Sequence, residues 1–367
     1  MEKEFEDRLK KIEEVLKKSI TEDGINERSY DWAMESFGIL PDAVNSDHLE
    51  CLIEPNSRLV RLGGKRWRPL LMILTYEFVK KMNAPYALDE DIVYSLTPLV
   101  EFVHTASLIH DDIEDGADLR RGHSAAHIKY GVDVALNAGS WLYFEAPVCI
   151  DKAPVSDSVK NYFYKLYTNE LRRLHLGQAM DIYWHRTPDF FPTVEEYKAM
   201  VRCKTGTLAS LAAQIGAIAG GADINDAREI GDIAANIGIG FQIIDDVINL
   251  KTGNVGKKRG DDIVEGKKSL PVLMHVENNP SDKDDIAAFM QIARRDGIES
   301  PAVEDCIKLL ESKGAIDKAA EYGVELINSQ TSKLTLFYGL KNAAENEAGG
   351  LILKLFNSMI PSPFNKK

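Results

Sequence analysis

The sequence has few cysteines, and none of them has a spacing that would hold a metal. Cys51, Cys149, Cys203 and Cys306 lie far apart and form no CxxC pair, so a zinc site of that type is excluded. The N-terminal stretch MEKEFEDRLKKIEEVLKKSI alternates charges and lacks the apolar segment of a signal peptide. We therefore predict a surface helix at the N-terminus, free thiols, and a cytoplasmic protein.

Positive charge and long apolar runs are also scarce. Acidic residues outnumber basic ones by 57 to 44, which gives a net charge of −13. This balance disfavours nucleic acid and anionic lipid as main partners. No apolar run approaches the roughly eighteen residues of a membrane span, so no transmembrane segment is expected.

Alternating strand patterns, hairpin signals and repeats are absent, whereas helical spacing is frequent. In DIVYSLTPLVEFVHTASLIHDD, apolar residues recur every three or four positions, with a kink expected at Pro98. We predict an all-α fold, a single large helical bundle around a central cavity. It would form one domain over residues 1–367, with 1–55 as a helical extension of uncertain role. The expected breaks are short and none looks like a domain linker; they include EPNSR at 54–58.

A cluster of acids follows that apolar run. Asp111 and Asp115 lie one helical turn apart and share a face, and Asp112 lies about 100° around the helix, where it would support them. Ser107 and His104 fall on the same stripe. Buried like charges need a cation, and ligands that are all oxygen favour Mg²⁺. The alternative interpretation is a solvated acidic helix end.

A second cluster repeats the arrangement. In FQIIDDVIN, Asp245, Asp246 and Asn249 are spaced i, i+1 and i+4, with Gln242 one turn earlier. Two helices with such stripes would be able to face one another and share Mg²⁺ ions. Because carboxylate-bound Mg²⁺ keeps positions for phosphate oxygens, the pair of clusters predicts a diphosphate ligand.

Basic residues suited to phosphate occur in short motifs. Each alone would be an ordinary surface charge, but together they exceed the needs of one metal-bound diphosphate. This surplus predicts two anionic substrates, one held by Mg²⁺ and one by side chains alone. The residues are Lys65 and Arg68 in LGGKRWRPLL, Arg120 and Arg121, Lys204 beside Thr205, and Lys257, Lys258 and Lys267 in GKKRGDDIVEGKKSLP.

These motifs resemble those of the trans-isoprenyl diphosphate synthases, and their wording is most similar to the eukaryotic-type geranylgeranyl diphosphate synthases. The matching segments cover positions 60 to 275 in the family's order: GGKRWRP, EFVHTASLIHDDIEDGADLRRG, LHLGQAMDIYW, YKAMVRCKTGTL, GIGFQIIDDVINL and GDDIVEGKKSLP. The resemblance implies a prenyltransferase that condenses isopentenyl diphosphate with dimethylallyl, geranyl or farnesyl diphosphate. It also implies the isoprenoid synthase fold, three Mg²⁺ ions per active site, and a homodimer or higher homo-oligomer.

The resemblance also implies a role for each matching residue. The expected metal ligands are Asp111, Asp115 and Asp245. Isopentenyl diphosphate would be held without metal by Lys65, Arg68, His104 and Arg121. The allylic diphosphate would be held by Arg120 and Lys267, with Lys257 or Lys258. Lys204, Thr205 and Gln242 would lie beside the allylic C–O bond, and Gln178 and Asp181 would line the same cavity.

Product length should be set one turn before the first acids. Ala106 and Ser107 are small, so a growing chain would pass them, and we expect a C20 product. His175 would be either a deeper floor of the cavity or a core histidine. Asn249 stands where the family usually has Asp, which would weaken ion binding on that side.

Three alternative functions remain at this stage. A class I terpene cyclase would use the same acids but needs only one diphosphate. A non-catalytic regulatory subunit of a prenyltransferase would also keep the fold, although such proteins tend to lose site residues. A metal-dependent phosphohydrolase would start from His110 and Asp111, but further histidines at ligand spacing are missing.

Overall fold

The computed structural model describes residues 3–20, 29–253, 258–342 and 345–361. The predicted all-α class is confirmed. The first helices in chain order are α1 (Glu6–Ser19), α2 (Ser29–Phe37), α3 (Ser46–Arg61), α4 (Trp67–Asn83), α5 (Glu90–Ser95), α6 (Pro98–Asp115), α7 (Ala126–Tyr130), α8 (Val132–Glu145) and α9 (Val148–Lys152). The later ones are α10 (Asp157–Arg186), α11 (Val194–Val201), α12 (Thr207–Ala219), α13 (Ile224–Lys251), α14 (Asp261–Glu265), α15 (Leu270–Asn278), α16 (Lys283–Asp296), α17 (Pro301–Ser312), α18 (Ala315–Thr335) and α19 (Glu347–Met359).

One small hairpin corrects the expectation that the chain has none. Strands β1 (Leu119–Arg120) and β2 (His123–Ser124) pair antiparallel, with Arg120 opposite His123. The two turn residues, Arg121 and Gly122, have φ values of 54° and 77°. Positive φ at both positions is the geometry of a type I′ turn, which joins strands through two residues. Strands this short leave no alternating pattern to detect.

Two prolines act differently from their sequence-based interpretation. Pro98 does not kink a long helix; it begins α6 as its first residue, where its missing N–H costs nothing. The expected break at 54–58 is wrong, because α3 continues through Pro55. The neighbouring Asn56 is buried, and its amide donates to the carbonyls of Leu52 and Ala138, both at 2.8 Å. This polar run is therefore packed against α8.

The chain divides into two compact units, and each is described by itself. Unit 1 comprises residues 1–168 and 211–227. Most residues of helix α4 in this unit are buried from Trp67 to Val79, and its last turn is exposed at Lys81 and Met82. Helix α1 contacts α3, α4, α5 and α6; its Ile12 and Leu16 are fully buried, as is Phe5 directly before it. The N-terminal helix is thus present as predicted, but one of its faces belongs to the core.

Unit 2 comprises residues 169–210 and 228–367. Its apolar core is formed by side chains such as Trp184, Tyr197 and Leu273. Close approach of helices depends on glycine, as predicted for two positions of α13. A Cβ at Gly238 would lie 2.9 Å from the Cα of Gly206, and one at Gly240 would lie 2.9 Å from a carbonyl oxygen of α18.

Among the residues that the structure describes, two segments are long and apolar enough to cross a membrane when judged by length and composition alone. They are Glu90–Asp115 and Ile224–Lys251, with mean hydropathies of 1.4 and 1.3. In each, 72% of the apolar window is buried inside the protein. The core helix of a protein outside the membrane passes the same test, so these segments are weak candidates for spans.

Candidate active site

A basic group in unit 1 is built from the loop before α4 and the β1–β2 hairpin. Gly63 and Gly64 have φ values of 71° and 152°, which are available to glycine at little cost. A Cβ at Gly64 would lie 3.0 Å from a guanidinium nitrogen of Arg121, so the loop backbone and that side chain are in close contact. Lys65 is exposed on the same loop. Two of the residues assigned to isopentenyl diphosphate are thus brought to one place.

Arg68 and His104 complete this group. Nη1 of Arg68 lies 3.4 Å from Nε2 of His104, and the Arg68 guanidinium stacks 4.5 Å from the ring of Trp67. The Nε atom of Arg68 is buried without a hydrogen-bond partner. Burial and the nearby Arg121 lower the pKa of Arg68 to about 10, against the opposing effect of Glu101. Such a charge favours an anionic ligand.

The same positive field acts on His104. Burial, together with Arg68, Arg121 and Arg120, holds the pKa of His104 well below its usual value. The imidazole is therefore neutral near pH 7. It can donate one hydrogen bond to a phosphate oxygen without adding another buried charge.

The first acidic cluster separates into roles along the last turn of α6. Asp112 is buried and accepts a 2.8 Å hydrogen bond from Nε of Arg120, whereas Asp111 and Asp115 are only partly buried. Burial raises the pKa of Asp112, and the bond from Arg120 limits the rise. Arg120 also lies 3.7 Å from Asp111. The support predicted for Asp112 thus consists of orienting Arg120 beside the two candidate ligands.

The residues predicted to set product length lie one turn earlier. Ala106 is fully buried, and Ser107 is half-buried with its hydroxyl donating to the carbonyl of His104 at 2.8 Å. The next turn is braced by His110, which lies 2.9 Å from the Ala106 carbonyl and 3.2 Å from the Ser140 hydroxyl. These contacts occupy both nitrogens of His110, so they give no support to its use in a phosphohydrolase centre.

In unit 2 the predicted catalytic residues lie on a distorted segment between α11 and α12. Arg202–Gly206 forms a turn of π-helix, a feature frequent at functional sites. Lys204 donates to Asp181 at 2.7 Å. Gly177 lets α10 lie against this segment, because a Cβ there would be 2.3 Å from the backbone nitrogen of Lys204. Helix α10 also carries the half-buried Gln178, so the expected partners are brought together.

A chain of hydrogen bonds leads from this segment to the second acidic cluster. The Thr205 hydroxyl donates to Gln242 at 3.0 Å, and the Gln242 amide donates to Asp246 at 3.0 Å. The Tyr197 hydroxyl donates to the other Asp246 oxygen at 2.7 Å. Burial raises the pKa of Asp246 to about 6, although these donors oppose the rise. Asp245 is exposed. Asp246 therefore fixes Gln242, and Asp245 is the accessible carboxylate.

Asn249 near the end of α13 is bonded to the start of α14. This residue is buried, and its side-chain oxygen accepts from the backbone N–H of Asp262 at 3.2 Å. The bond uses the carbonyl oxygen of the amide, and the Asn249 Nδ2 atom is buried without a hydrogen-bond partner. Lys267 pairs with Glu265 at 2.5 Å, and Lys258 pairs with Glu299 at 2.5 Å. Lys257 lies outside the described residues.

The carboxylates suit a Mg²⁺ ion that also binds phosphate oxygens of a substrate. Within the described ranges, no three His, Cys, Asp or Glu side chains are grouped closely enough to hold a metal ion by themselves. Mg²⁺ suits such incomplete sets, since it commonly takes one or two carboxylates and fills its octahedron with water and substrate phosphate. The donors Asp111, Asp115 and Asp245 are of the required type.

Sequence reasoning missed several residues that the structure places in the site. Arg66 and Glu101 form a buried ion pair at 2.6 Å, and Tyr197 fixes Asp246. The signal for Glu101 was an acid inside the apolar run LVEFVH, three residues before His104. The two interpretations of His175 are both wrong, because this residue is exposed and bonds the Leu171 carbonyl at 3.0 Å.

Comparisons with known proteins show what the chain is similar to. The family described as polyprenyl synthetase matches residues 50–310. A geranylgeranyl pyrophosphate synthase of Clitopilus passeckerianus is 35% identical over 247 residues, covering 65% of this chain and 67% of the relative. A geranylfarnesyl diphosphate synthase of Natronomonas pharaonis is 31% identical over 315 residues, covering 83% and 87%. The crystal structure of a geranylgeranyl pyrophosphate synthetase from Pyrococcus horikoshii superposes with a TM-score of 0.78 at 26% identity, covering 97% of both chains.

The depressed pKa of His104 makes a prediction about stability. In the unfolded chain the His104 imidazole takes up a proton near pH 6.5, whereas in the folded protein it stays neutral at that pH. The free energy of unfolding therefore decreases as pH falls below that value, by at most about 1.4 kcal/mol per pH unit. His104→Gln removes this contribution. The stability of the wild type relative to His104→Gln, measured by urea denaturation, should fall between pH 7.5 and pH 5. A difference that is constant over this range contradicts the assignment.

Proposed function

Because the chain belongs to the polyprenyl synthetase family and is a prenyltransferase, we propose that it condenses isopentenyl diphosphate with an allylic diphosphate. The observation that carries the proposal is the arrangement common to both Asp-Asp pairs. In each, the second carboxylate is buried and internally bonded, as for Asp112 and Asp246, and the first is accessible, as for Asp111 and Asp245. Two accessible carboxylates, each next in sequence to a buried and hydrogen-bonded one, suit the binding of metal-bound diphosphate.

The basic group of unit 1 supports the metal-independent substrate. Lys65, Arg68 and Arg121 supply cations, and neutral His104 supplies a hydrogen bond. The buried Nε of Arg68 would gain a phosphate oxygen as its acceptor. The nucleophile is the double bond of isopentenyl diphosphate, which needs to be oriented and does not need a strong base to activate it. The new C–C bond replaces the broken allylic C–O bond, and the proton lost from the condensed cation would pass to the released diphosphate.

The other substrate is the one that ionises. Asp111, Asp115 and Asp245 would hold Mg²⁺, three ions in all, and Arg120 and Lys267 would bind oxygens of the allylic diphosphate. Bound Mg²⁺ would neutralise the negative charge that develops on the leaving diphosphate. Asp112 keeps Arg120 in position for this contact through its hydrogen bond to Nε.

The carbocation left by ionisation needs negative dipoles near it. The Thr205–Gln242–Asp246 chain fixes the orientation of the Gln242 amide, and Asp181 fixes Lys204. We propose that the oxygens of Thr205 and Gln242 face the developing positive charge. Preorganised dipoles of this kind stabilise a transition state without a further reorganisation cost.

The central test is incubation with isopentenyl diphosphate, Mg²⁺ and each of the dimethylallyl, geranyl and farnesyl diphosphates, with products read by mass. We expect consumption of isopentenyl diphosphate and loss of turnover on chelation. Asp111→Asn and Asp245→Asn should each lower kcat by about 100-fold or more, since each removes stabilisation of the leaving group.

The matched control is Asp118→Asn, which removes an exposed charge beyond the end of α6. It should leave kcat within about twofold, as surface substitutions usually do. Turnover that survives chelation would contradict the mechanism. Cyclic hydrocarbon made without isopentenyl diphosphate would indicate a terpene cyclase, and no turnover by the protein alone would indicate a regulatory subunit.

We propose a C20 product, since Ala106 and Ser107 leave room one turn before the first acids. Ser107→Phe should shorten the product, because a bulky ring at this half-buried position would block chain growth. Ala106→Tyr should act in the same direction, although overpacking a fully buried site will also lower stability. Ser107→Ala is the control and should keep the product length. Unchanged products in both bulky variants, read by mass, would remove this account.

A cytoplasmic homodimer is proposed from the family together with one face of α8. Val132, Leu136 and Phe144 lie on one stripe of this helix and are 52%, 47% and 78% exposed. Exposed apolar stripes of this kind mark association surfaces. Leu136→Glu with Phe144→Glu should convert the dimer to a monomer in sedimentation velocity, whereas Ile39→Glu, an exposed apolar residue outside α8, should not.

A further inference from the structure

The loop that carries Lys65 is held by an ion-pair cluster that reaches the N-terminal helix. Arg66 is 3% exposed and has a φ of 47°, a left-handed conformation that costs a residue with a side chain about 1 kcal/mol or more. Its surroundings must therefore impose this conformation. Its guanidinium donates to Glu13 on α1 at 2.7 Å, to Glu101 on α6 at 2.6 Å, and to the Val60 carbonyl in the last turn of α3.

Each partner has a distinct reason to be there. The Val60 carbonyl lies in the last turn of α3, where it accepts from Arg66 and also from the backbone N–H of Gly63 at 3.1 Å. Glu101 is 2% exposed, and a carboxylate buried to that degree needs a cation. Glu13 is only half-buried and comes from outside the region matched by the family, which begins at residue 50. Arg66 thus ties α1 to the loop and to α6.

The cluster also keeps the Glu101 carboxylate from pairing with the neighbouring guanidinium groups of Arg68 and Arg121. Glu101 interacts electrostatically with Arg66, Arg68 and Arg121. Because Arg66 takes the direct contact, the other two arginines remain available to an anion. If Arg66 moved, the Glu101 carboxylate would turn to the nearest remaining cation and compete with a diphosphate for it.

We propose that Glu13 is a positioning residue for the metal-independent diphosphate site. Together with Glu101 it fixes Arg66, which sets the 63–66 loop and keeps Arg68 and Arg121 available to the phosphates of isopentenyl diphosphate. This inference rests on the proposed function, because it takes that substrate to be the occupant of the basic group.

The molecule offers a matched control on the same helix. Arg8 of α1 makes two contacts of 2.8 Å with Glu77 of α4, and the two side chains of this pair are each 24% exposed. Glu13 is comparably exposed, at 31%. Glu13→Gln and Glu77→Gln therefore each remove one ion pair that docks α1, but only Glu13→Gln touches the loop.

The test is a comparison of kinetics and binding for these variants. Glu13→Gln should raise the KM for isopentenyl diphosphate by about tenfold, the factor governed by one hydrogen bond to a charged group. Its KM for the allylic diphosphate and its kcat should stay within about twofold, as should every constant of Glu77→Gln. Without Mg²⁺, isopentenyl diphosphate alone should raise the melting temperature of the wild type and of Glu77→Gln. The same rise in the melting temperature of Glu13→Gln should need an isopentenyl diphosphate concentration about tenfold higher.

A second variant, Arg66→Lys, keeps the proposal testable if Glu13→Gln fails to fold. Arg66→Lys keeps a charge opposite Glu101 but has no fork to reach both carboxylates, so it should show the same selective rise in KM. Equal effects of Glu13→Gln and Glu77→Gln, or no effect of Glu13→Gln, would overturn the positioning role while leaving the proposed function intact. A wild type that neither binds nor consumes isopentenyl diphosphate would overturn both.

Discussion

A carboxylate removed from water must find a donor or a cation, and this requirement organises the candidate site. Asp112 is neutralised by Arg120, Asp246 is bonded by Tyr197 and Gln242, and Glu101 is paired with Arg66. Each buried acid thereby fixes the side chain that satisfies it. The accessible carboxylates beside them are the ones proposed to contact a ligand. Under the proposed function, each acid-rich segment would combine a buried carboxylate that fixes a neighbouring side chain with an accessible carboxylate that binds the ligand.

The basic group has the complementary property. Arg68 keeps a buried Nε atom without an acceptor, and His104 is held neutral by the cations around it. An anionic substrate would satisfy what the protein leaves unsatisfied. The affinity of such a site for an anion depends on the protein's own carboxylates not pairing with its cations. The ion pair of Arg66 with Glu101 keeps that carboxylate from pairing with Arg68 and Arg121.

The sequence was sufficient for the helical class, which depends on spacing within a helix, and the same spacing led to the acidic residues proposed for the site. The long helices α10, α13 and α18 follow from apolar periodicity, and the polar stripes on α6 and α13 follow from the same spacing. Errors arose where one local interaction overrode a general tendency. Pro98 starts a helix, Pro55 is tolerated within one, and the β1–β2 hairpin depends on two positive φ angles. The roles of Arg66 and Glu13 depend on contacts between distant segments, which spacing does not reveal.

The π-helical turn at Arg202–Gly206 has a consequence for how this chain can vary. A regular α-helix advances by about 100° per residue, so one residue accommodated in a wider turn shifts the phase of everything that follows it. Thr205 presents its hydroxyl to Gln242 only in the present phase. Loss of a single residue within 202–206 would restore a regular helix and rotate the neighbouring side chains away from one another. Point substitutions can change the chemistry of this segment, but its length is fixed by angular register, so insertions and deletions should be much rarer here than in the loops.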